Sequence, residues 1–313
     1  GYSGPMAPVV NKPVMIDVDG RQVEFIPTYH PAATIYSKEA RKGLDDTMAI
    51  VAERLRPEMR FGGFMLDMDG TIYKGGDPIP GAKEFISYLR EKGIPFVFLT
   101  NNSSHSRDFY SGKLARMGFD ATKDDVLTSM TATIRFLISE RFGRRVYPVA
   151  VPDVVKEMED AGIDIVEDDP DIVVLTFDTT ITYEKINKAF HFLKKGACLL
   201  YTEDFYDIDI GPFIRMFEQM CQTTATVIGK PNRLMLEMAA REMGVDPSDT
   251  VMVGDRLYTD IAMAARAGTQ SILVLSGETD MAMLEGSDIR PTLALGSVAD
   301  IPDLVEGRRR PAF

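Results

Sequence analysis

Apolar runs recur along this chain, and each stops at a cluster of polar residues. Phe64-Met65-Leu66 ends at Asp67-Met68-Asp69-Gly70-Thr71, and Ile94-Pro95-Phe96-Val97-Phe98-Leu99 ends at Thr100-Asn101-Asn102-Ser103-Ser104. Val227-Ile228 ends at Gly229-Lys230-Pro231-Asn232, and Thr250-Val251-Met252-Val253 ends at Gly254-Asp255-Arg256, with Asp260 shortly after. Runs that are apolar at every position predict strands buried on both faces, the habit of parallel sheets. Helical patterns lie between them, near Ser104 to Met117, Met130 to Arg141 and Arg233 to Met243, with further strands expected at Asp125 to Thr128, Ser271 to Leu275 and Thr292 to Leu295. The expected fold class is α/β, a doubly wound parallel sheet whose ligand site lies at the carboxyl ends of its strands.

Asn102 and Lys230 are separated by far more chain than one crossover helix needs. After Gly143 the pattern alternates afresh: strand Arg145 to Val149, helix Val154 to Ala161, strand Asp171 to Phe177, helix Tyr183 to Lys194, strand Ala197 to Tyr201 and helix Phe213 to Cys221. The expected organisation is a core of residues 59–142 and 225–305, an inserted α/β cap of 143–224 and a tail of 306–313. Residues 1–58 form an extension, with a β-hairpin at about 14–26 and a helix from about Ser37 to Leu55. Ala40, Leu44, Met48, Ile50, Val51 and Leu55 give that helix one apolar face with which to pack.

Asp67 and Asp69 stand one residue apart at a predicted strand end, before Gly70-Thr71. Two such carboxylates can hold a hard divalent cation, and one can attack an electrophile that the cation has neutralised. Gly70 permits the sharp turn that sends both into one cavity. The same residues also read as a strand followed by a plain Asp-Gly turn. A second D-x-D-G, Asp17-Val18-Asp19-Gly20, sits between two alternating segments, the pattern of a β-hairpin, and Arg21 stands where the other copy has Thr71. The copy at Asp17 is therefore read as a structural turn and the copy at Asp67 as the site. The other strand ends supply partners: hydroxyls and amides before a helix, where free N–H groups favour anions, then a lysine, then further aspartates.

In this order, D-x-D-G-T, T-N-N, G-K-P and G-D-x-x-x-x-D, the chain resembles the haloacid dehalogenase superfamily of aspartate-nucleophile phosphohydrolases. D-M-D-G-T-I-Y, T-N-N-S and V-G-D-R-L-Y-T-D-I are similar to the subgroup of bacterial 4-nitrophenyl phosphatases, NagD-type phosphatases and pyridoxal phosphate phosphatase. The resemblance runs from about Phe61 to about Ile301. It implies a Rossmann-like core with an inserted cap, and hydrolysis of small phosphomonoesters: sugar phosphate, nucleoside monophosphate, pyridoxal phosphate or aryl phosphate. It also implies Mg²⁺ as cofactor, Asp67 as the nucleophile giving an aspartyl-phosphate, and Asp69 as general acid and then general base. The metal would be held by Asp67, the backbone carbonyl of Asp69 and Asp255. Thr100 and the amide of Asn101 would bind phosphate oxygens, and Asn102 would orient Asp69 or the substrate. Lys230 would offset the charge of nucleophile and phosphate, with Asp260 fixing Lys230 or a metal-bound water.

A phosphate dianion repels a carboxylate nucleophile, so compensation falls to Mg²⁺, Lys230 and the helix N-terminus expected after Asn102. The rest of the chain opposes it, with 47 Asp and Glu against 35 Lys and Arg and a formal net charge of -12. That balance argues against nucleic acid as a partner, and Arg308-Arg309-Arg310 is too short to reverse it. The 313 residues suit one large domain or two ordinary ones, and no apolar run approaches a membrane span. Gly1-Tyr2-Ser3-Gly4-Pro5 has no signal-peptide pattern and reads as an expression scar before Met6. Cys198 and Cys221, in apolar neighbourhoods, read as buried free thiols of a reducing, cytoplasmic compartment. His30, His105 and His191 are isolated from one another and from these motifs, which leaves zinc or Ser-His chemistry with little support. The expected partner is a small phosphorylated metabolite, with neither nucleic acid nor membrane; a homodimer is left open.

The family often carries an A-T-N-x-D segment where the cap leans over the site. Here Leu200-Tyr201-Thr202-Glu203-Asp204-Phe205-Tyr206-Asp207-Ile208-Asp209 stands in that place. Asp204 matches the family aspartate, while Glu203, Asp207 and Asp209 depart from the pattern. They read either as a solvated acidic loop or as contacts to hydroxyl or amine groups of the leaving group, with Tyr201, Phe205 and Tyr206 as a stacking wall. Two other readings of the whole chain remain. One is a regulatory module that kept the fold, against which intact Asp67, Asp69, Lys230 and Asp255 speak; the other is a sugar phosphomutase, which shares the aspartyl-phosphate step.

Overall fold

The computed structural model describes residues 8–55, 59–139, 145–202 and 210–308, apart from the side chains of 52–55. The chain divides into two compact units between Met59 and Arg60. In the first, β1 (Val14–Val18) and β2 (Arg21–Phe25) pair antiparallel. Asp19 and Gly20 both take positive φ, 52° and 78°, as a two-residue hairpin turn requires. Asp17 accepts from the Gly20 amide at 2.9 Å and from the Gln22 side chain at 3.3 Å, so its carboxylate belongs to the turn. The D-x-D-G at Asp17 is thus a hairpin, as its alternating flanks implied.

The helix α1 (Lys38–Leu55) follows. Among its described side chains the buried positions are Ala40, which the predicted face included, and Gly43 and Thr47, which it did not, while Leu44 is only partly buried and Met48 is exposed. Gly43 lies against the Tyr29 ring, and the Thr47 hydroxyl bonds with the Thr28 hydroxyl at 2.8 Å and with the Asn11 side chain. The helix approaches its neighbours along its smallest side chains, which leaves Met48 51% exposed.

The second unit runs β3 (Gly63–Asp67), the short hairpin β4 (Tyr73–Lys74) and β5 (Asp77–Pro78), α2 (Ala82–Lys92), β6 (Phe96–Thr100), α3 (Arg107–Arg116), β7 (Val126–Thr128) and α4 (Ser129–Ser139). Then come β8 (Arg145–Val149), α5 (Pro152–Asp160), β9 (Asp164–Ile165), β10 (Ile172–Leu175), α6 (Tyr183–Lys194), β11 (Cys198–Tyr201), α7 (Ile210–Cys221) and β12 (Thr226–Val227). It closes with α8 (Arg233–Met243), β13 (Thr250–Gly254), α9 (Ala262–Ala267), β14 (Gln270–Val274), α10 (Met281–Gly286), β15 (Leu293–Leu295) and α11 (Ile301–Val305). Among the described residues these strands form a parallel sheet in the order β15-β14-β13-β3-β6-β7 and a second parallel sheet in the order β12-β11-β10-β8-β9.

The apolar runs are the reason for this architecture. Phe64 to Leu66, Val251 to Val253 and Ile272 to Val274 are fully buried. One face of the first sheet packs Met65, Val97 and Met252 against Met235, Leu236 and Ala239 of α8, and the same apolar cluster continues through Ile228 and Leu200 to Val174 and Val146 of the second sheet. On the other face Phe85 of α2 meets Phe64 edge-on at 5.6 Å. The chain begins at β3 in the middle, winds out through β6 to β7, and returns to build β13, β14 and β15 on the other side. Neighbouring β3 and β13 therefore send their continuations in opposite directions, and open α/β sheets bind their ligands beyond the carboxyl ends of the strands at such a point.

Three expectations change. The run before Lys230 is not a core strand, because Thr226 and Val227 pair with Leu200 and Tyr201 at the edge of the second sheet. Cys198 is exposed and Cys221 half-buried, both free, so neither is the fully buried thiol expected. Tyr201 packs into the core of the second sheet with Val149, Val173 and Phe217 and is not part of a ligand wall. No helix among the described residues is long and apolar enough to cross a membrane.

Candidate active site

β3 carries Asp67 out of the middle of its sheet, and the backbone then folds back on itself. The Met68 carbonyl accepts from Ile72 at 2.8 Å and Tyr73 at 3.1 Å, and the Gly70 amide donates to the Tyr73 carbonyl at 2.7 Å. Met68 and Ile72 are buried and anchor this turn. Gly70, at φ +88°, forms its apex, where a Cβ would stand 2.3 Å from Asp255 Oδ2. Asp67 faces inward from the turn, and Asp69 is exposed at its rim.

Lys230 arrives on a second tight turn. Asn232 caps α8 by accepting from the Leu234 amide at 3.0 Å, and its Nδ2 donates back to the Val227 carbonyl at 2.6 Å. Asn101 clamps the turn from the other side, with Nδ2 donating to the Lys230 carbonyl and Oδ1 accepting from the Lys230 amide, both at 2.7 Å. Gly229 threads between these groups, where a Cβ would lie 2.0 Å from the Thr202 carbonyl oxygen. Lys230 Nζ donates to Asp260 Oδ1 at 2.8 Å and to Asp67 Oδ1. Burial works to lower the lysine pKa, but the Asp260 and Asp67 carboxylates outweigh it and hold the ammonium above its ordinary range. The ammonium therefore stays charged.

Asp255 follows β13 and is 1% exposed. Its Oδ2 accepts from the Glu278 amide at 2.7 Å, while its Oδ1 is buried with no hydrogen-bond partner. One carboxylate oxygen from each of Asp67, Asp255 and Asp260 lies within 4.8 Å of the others. Asp260 already gives Oδ1 to Lys230 and Oδ2 to the Arg256 amide at 3.3 Å, so Asp67 and the orphaned Asp255 Oδ1 are the donors left to an incoming ligand. Burial pushes Asp67 up to about 7, with Asp260 and Asp255 adding to it and Lys230 opposing; burial and then Asp260 push Asp255 up to about 6. A buried acid left without a proton or hydrogen bond is costly. Hard oxygens in this arrangement fit a divalent cation, which would reverse both shifts.

Thr100, at the adjoining end of β6, accepts from the Asn102 amide at 3.1 Å, leaving its hydroxyl proton available to an acceptor there. Asn102 is exposed, and its Oδ1 accepts from the amide and hydroxyl of Ser104 at 2.9 and 2.6 Å. The helix N-terminus expected directly after Asn102 is absent there, since α3 starts only at Arg107; Asn and Ser bond their own backbone and make a local turn instead. The structure brings together Asp67, Lys230, Asp255 and Asp260, with Thr100 and Asn101 at the neighbouring strand end. Glu203, Asp204, Asp207 and Asp209, with Phe205 and Tyr206, lie outside the described residues.

A fifth polar cluster was missed. After β14 the chain reads Leu275-Ser276-Gly277-Glu278-Thr279, the same signal of an apolar run breaking at polar residues. Ser276 Oγ donates to the Gly70 carbonyl at 2.8 Å, and the Glu278 and Thr279 amides donate to the Asp255 carboxylate and carbonyl at 2.7 and 3.2 Å. Gly277 lies so close that a Cβ would stand 2.0 Å from Asp255 Oδ2.

Residues 64–164 match the model of the haloacid dehalogenase-like hydrolases, and residues 227–301 match a second HAD-hydrolase-like model. The chain is 31% identical over 248 residues to the 5'-nucleotidase YutF of Bacillus subtilis, an alignment that covers 76% of this chain and 96% of that protein. The chain belongs to the haloacid dehalogenase-like hydrolases. It is 32% identical over 240 residues to the acid sugar phosphatase of Staphylococcus aureus, covering 73% of this chain and 92% of the other. The structure of 4-nitrophenylphosphatase from Thermotoga maritima matches with a TM-score of 0.75 at 37% identity, covering 80% of this chain and 98% of that one. Within the family the chain falls in the NagD and 4-nitrophenylphosphatase subgroup, an enzyme of the phosphoric monoester hydrolase type.

Proposed function

We propose that this enzyme is a Mg²⁺-dependent phosphatase of small phosphomonoesters, acting through an aspartyl-phosphate on Asp67. The observation that carries this reading is the buried, partnerless Oδ1 of Asp255, a residue whose carboxylate comes within 4.8 Å of the Asp67 carboxylate, beside a lysine that contacts Asp67. Asp67, the backbone carbonyl of Asp69 and Asp255 would hold Mg²⁺, which when bound supplies positive charge to the phosphoryl oxygens and to the Asp67 carboxylate.

A carboxylate oxygen of Asp67 attacks phosphorus, and the bond from phosphorus to the ester oxygen breaks. Asp69, exposed at the rim of the turn, gives its proton to the departing oxygen. In the second half Asp69 takes a proton from water as that water attacks the same phosphorus, which releases phosphate and restores Asp67. Lys230 balances charge throughout, and Asp260 holds it there. Thr100 and the Asn101 amide bind phosphate oxygens, while the Asn101 side chain fixes the lysine turn.

Residues 59–142 and 225–305 serve as the catalytic core in this reading, and 143–224 as the cap that meets the leaving group. The acidic segment with Glu203, Asp204, Asp207 and Asp209 then chooses among esters. Small esters are favoured because the relatives are a 5'-nucleotidase, an acid sugar phosphatase and a 4-nitrophenylphosphatase. Net charge of -12 and free cysteines favour a cytoplasmic enzyme with no nucleic-acid partner. Hydrolysis of 4-nitrophenyl phosphate should require Mg²⁺ and stop in excess chelator. Turnover that survives the chelator contradicts the metal-dependent reading.

A further inference from the structure

Asn101 is one connection between the phosphate-binding loop and the lysine turn. A second, among the described residues, runs through residues to which no chemistry has been assigned. Ser103 and Thr202 are both fully buried. The Thr202 hydroxyl donates to Ser103 Oγ at 2.8 Å, and Ser103 Oγ also accepts from the Phe177 amide at 2.8 Å. Ser103 stands directly after Asn102 in the loop that follows β6. Phe177 and Thr202 follow β10 and β11 of the second sheet, and the Thr202 amide donates to the Leu175 carbonyl at 3.2 Å. The Thr202 carbonyl lies against Gly229, beside Lys230, close enough that any side chain at position 229 would collide with it. Ser129 closes the arrangement, donating from Oγ to the Asn101 carbonyl at 2.6 Å.

We propose that Ser103 and Thr202 are positioning residues: a buried hydroxyl pair that fixes the Thr100–Asn102 loop against the second sheet and, through Thr202 and Gly229, sets its spacing from Lys230. The inference rests on the phosphatase reading and deepens it. Thr100 and the Asn101 amide grip phosphate from one side, and Lys230 compensates its charge from another. A phosphoryl group in transfer needs both at fixed separation, because preorganised donors act only where the charge develops. The Asn101 clamp sets the backbone of Lys230, and the hydroxyl pair sets the loop that carries Asn101. Apolar packing alone would hold the two sheets together; a buried polar pair whose members lose a partner together adds direction.

The test compares Thr202→Val, which keeps the shape and removes the hydroxyl, with Thr202→Ser, which keeps the hydroxyl. Each is assayed at 25 °C on 4-nitrophenyl phosphate with Mg²⁺, with inorganic phosphate as competing ligand, and the Tm of each is measured. Thr202→Val should lose about tenfold in kcat/KM and bind inorganic phosphate about tenfold more weakly, the usual scale for one buried hydrogen-bond partner. Thr202→Ser should stay within about twofold of the parent on both readouts. Ser103→Ala should fall at least as far as Thr202→Val, because it also takes the acceptor from the Phe177 amide, and the double variant should fall no further than Ser103→Ala, since the Thr202 hydroxyl acts through Ser103. Wild-type kinetics and phosphate binding in Thr202→Val, whatever its Tm, overturn the inference. So does Thr202→Ser falling as far as Thr202→Val, since shape and not the hydroxyl would then matter. A parent protein that hydrolyses no phosphomonoester with Mg²⁺ present instead overturns the phosphatase reading itself.

Discussion

At the scale of single residues, the two D-x-D-G copies are a natural control for each other. Asp17 accepts hydrogen bonds from its own hairpin turn, whereas Asp67 is held by a buried lysine beside a carboxylate with one partnerless oxygen. Asp67→Asn should keep the fold and lower kcat on the order of 10³-fold or more, the scale seen when a residue of a catalytic unit is removed. Asp17→Asn should leave kcat unchanged in the same assay; a large loss there would mean that the hairpin copy has a catalytic part. The raised carboxyls also fix a pH dependence. Asp67 at about 7 and Asp255 at about 6 bind protons more tightly folded than unfolded. In metal-free protein their contribution to stability is therefore fully present only below the unfolded carboxyl pKa of about 4, and is lost as pH rises through about 6 and 7. A cation on the same oxygens competes with those protons. Thermal melts should show Mg²⁺ raising Tm more at about pH 7.5 than at about pH 5, and Asp255→Asn should shrink that difference. Equal stabilisation at both pH values would argue against these carboxyls as the metal site.

At the scale of elements, each strand hands its functional group to a turn that other elements lock in place. The loop after β14 is the test case, because Gly277 presses on Asp255 while the Glu278 amide holds the same carboxylate. Its φ is not in the left-handed region, so alanine is acceptable to the backbone but collides with Asp255. Gly277→Ala should raise the Mg²⁺ concentration for half-maximal activity by about tenfold, the range found when an outer partner of a metal ligand is disturbed. An unchanged metal requirement would mean that this loop does not hold Asp255. The core strands were legible because Phe64 to Leu66 and Val251 to Val253 are apolar at every position. Thr226-Val227 was read into the wrong sheet, since a short apolar run fits either, and its pairing is decided only by Leu200 and Tyr201 across the gap. The start of α3 was misplaced because Asn102 and Ser104 bond each other and delay the helix. The loop at Glu278 carried the same strand-end signal as the others and was overlooked. For α1, the expected face included Ala40, which is buried, but a reading based on apolar residues missed Gly43 and Thr47.

At the scale of the whole molecule, the site gathers groups from distant parts of the chain around the point where the first sheet changes winding direction. Asp67 and Asp255 come from neighbouring strands β3 and β13, and Lys230 comes from the turn between the edge of the second sheet and α8. One apolar cluster spans both sheets, so the lysine turn is set by the packing of each. The overall charge of -12 would repel a phosphate dianion, so in the proposed function charge compensation falls to the local lysine and a cation. In the proposed mechanism all of this gives Asp67 one task, to carry the phosphoryl group for part of each cycle. The most direct measurement is to mix enzyme with Mg²⁺ and a phosphomonoester, quench in acid during turnover, reduce with borohydride and map the peptides. An acyl phosphate is reduced to the alcohol, so the account predicts homoserine at position 67, dependent on substrate and Mg²⁺ and absent from Asp67→Asn. Steady turnover with no reduction at residue 67, or with reduction at Asp69 or Asp255 instead, would contradict it.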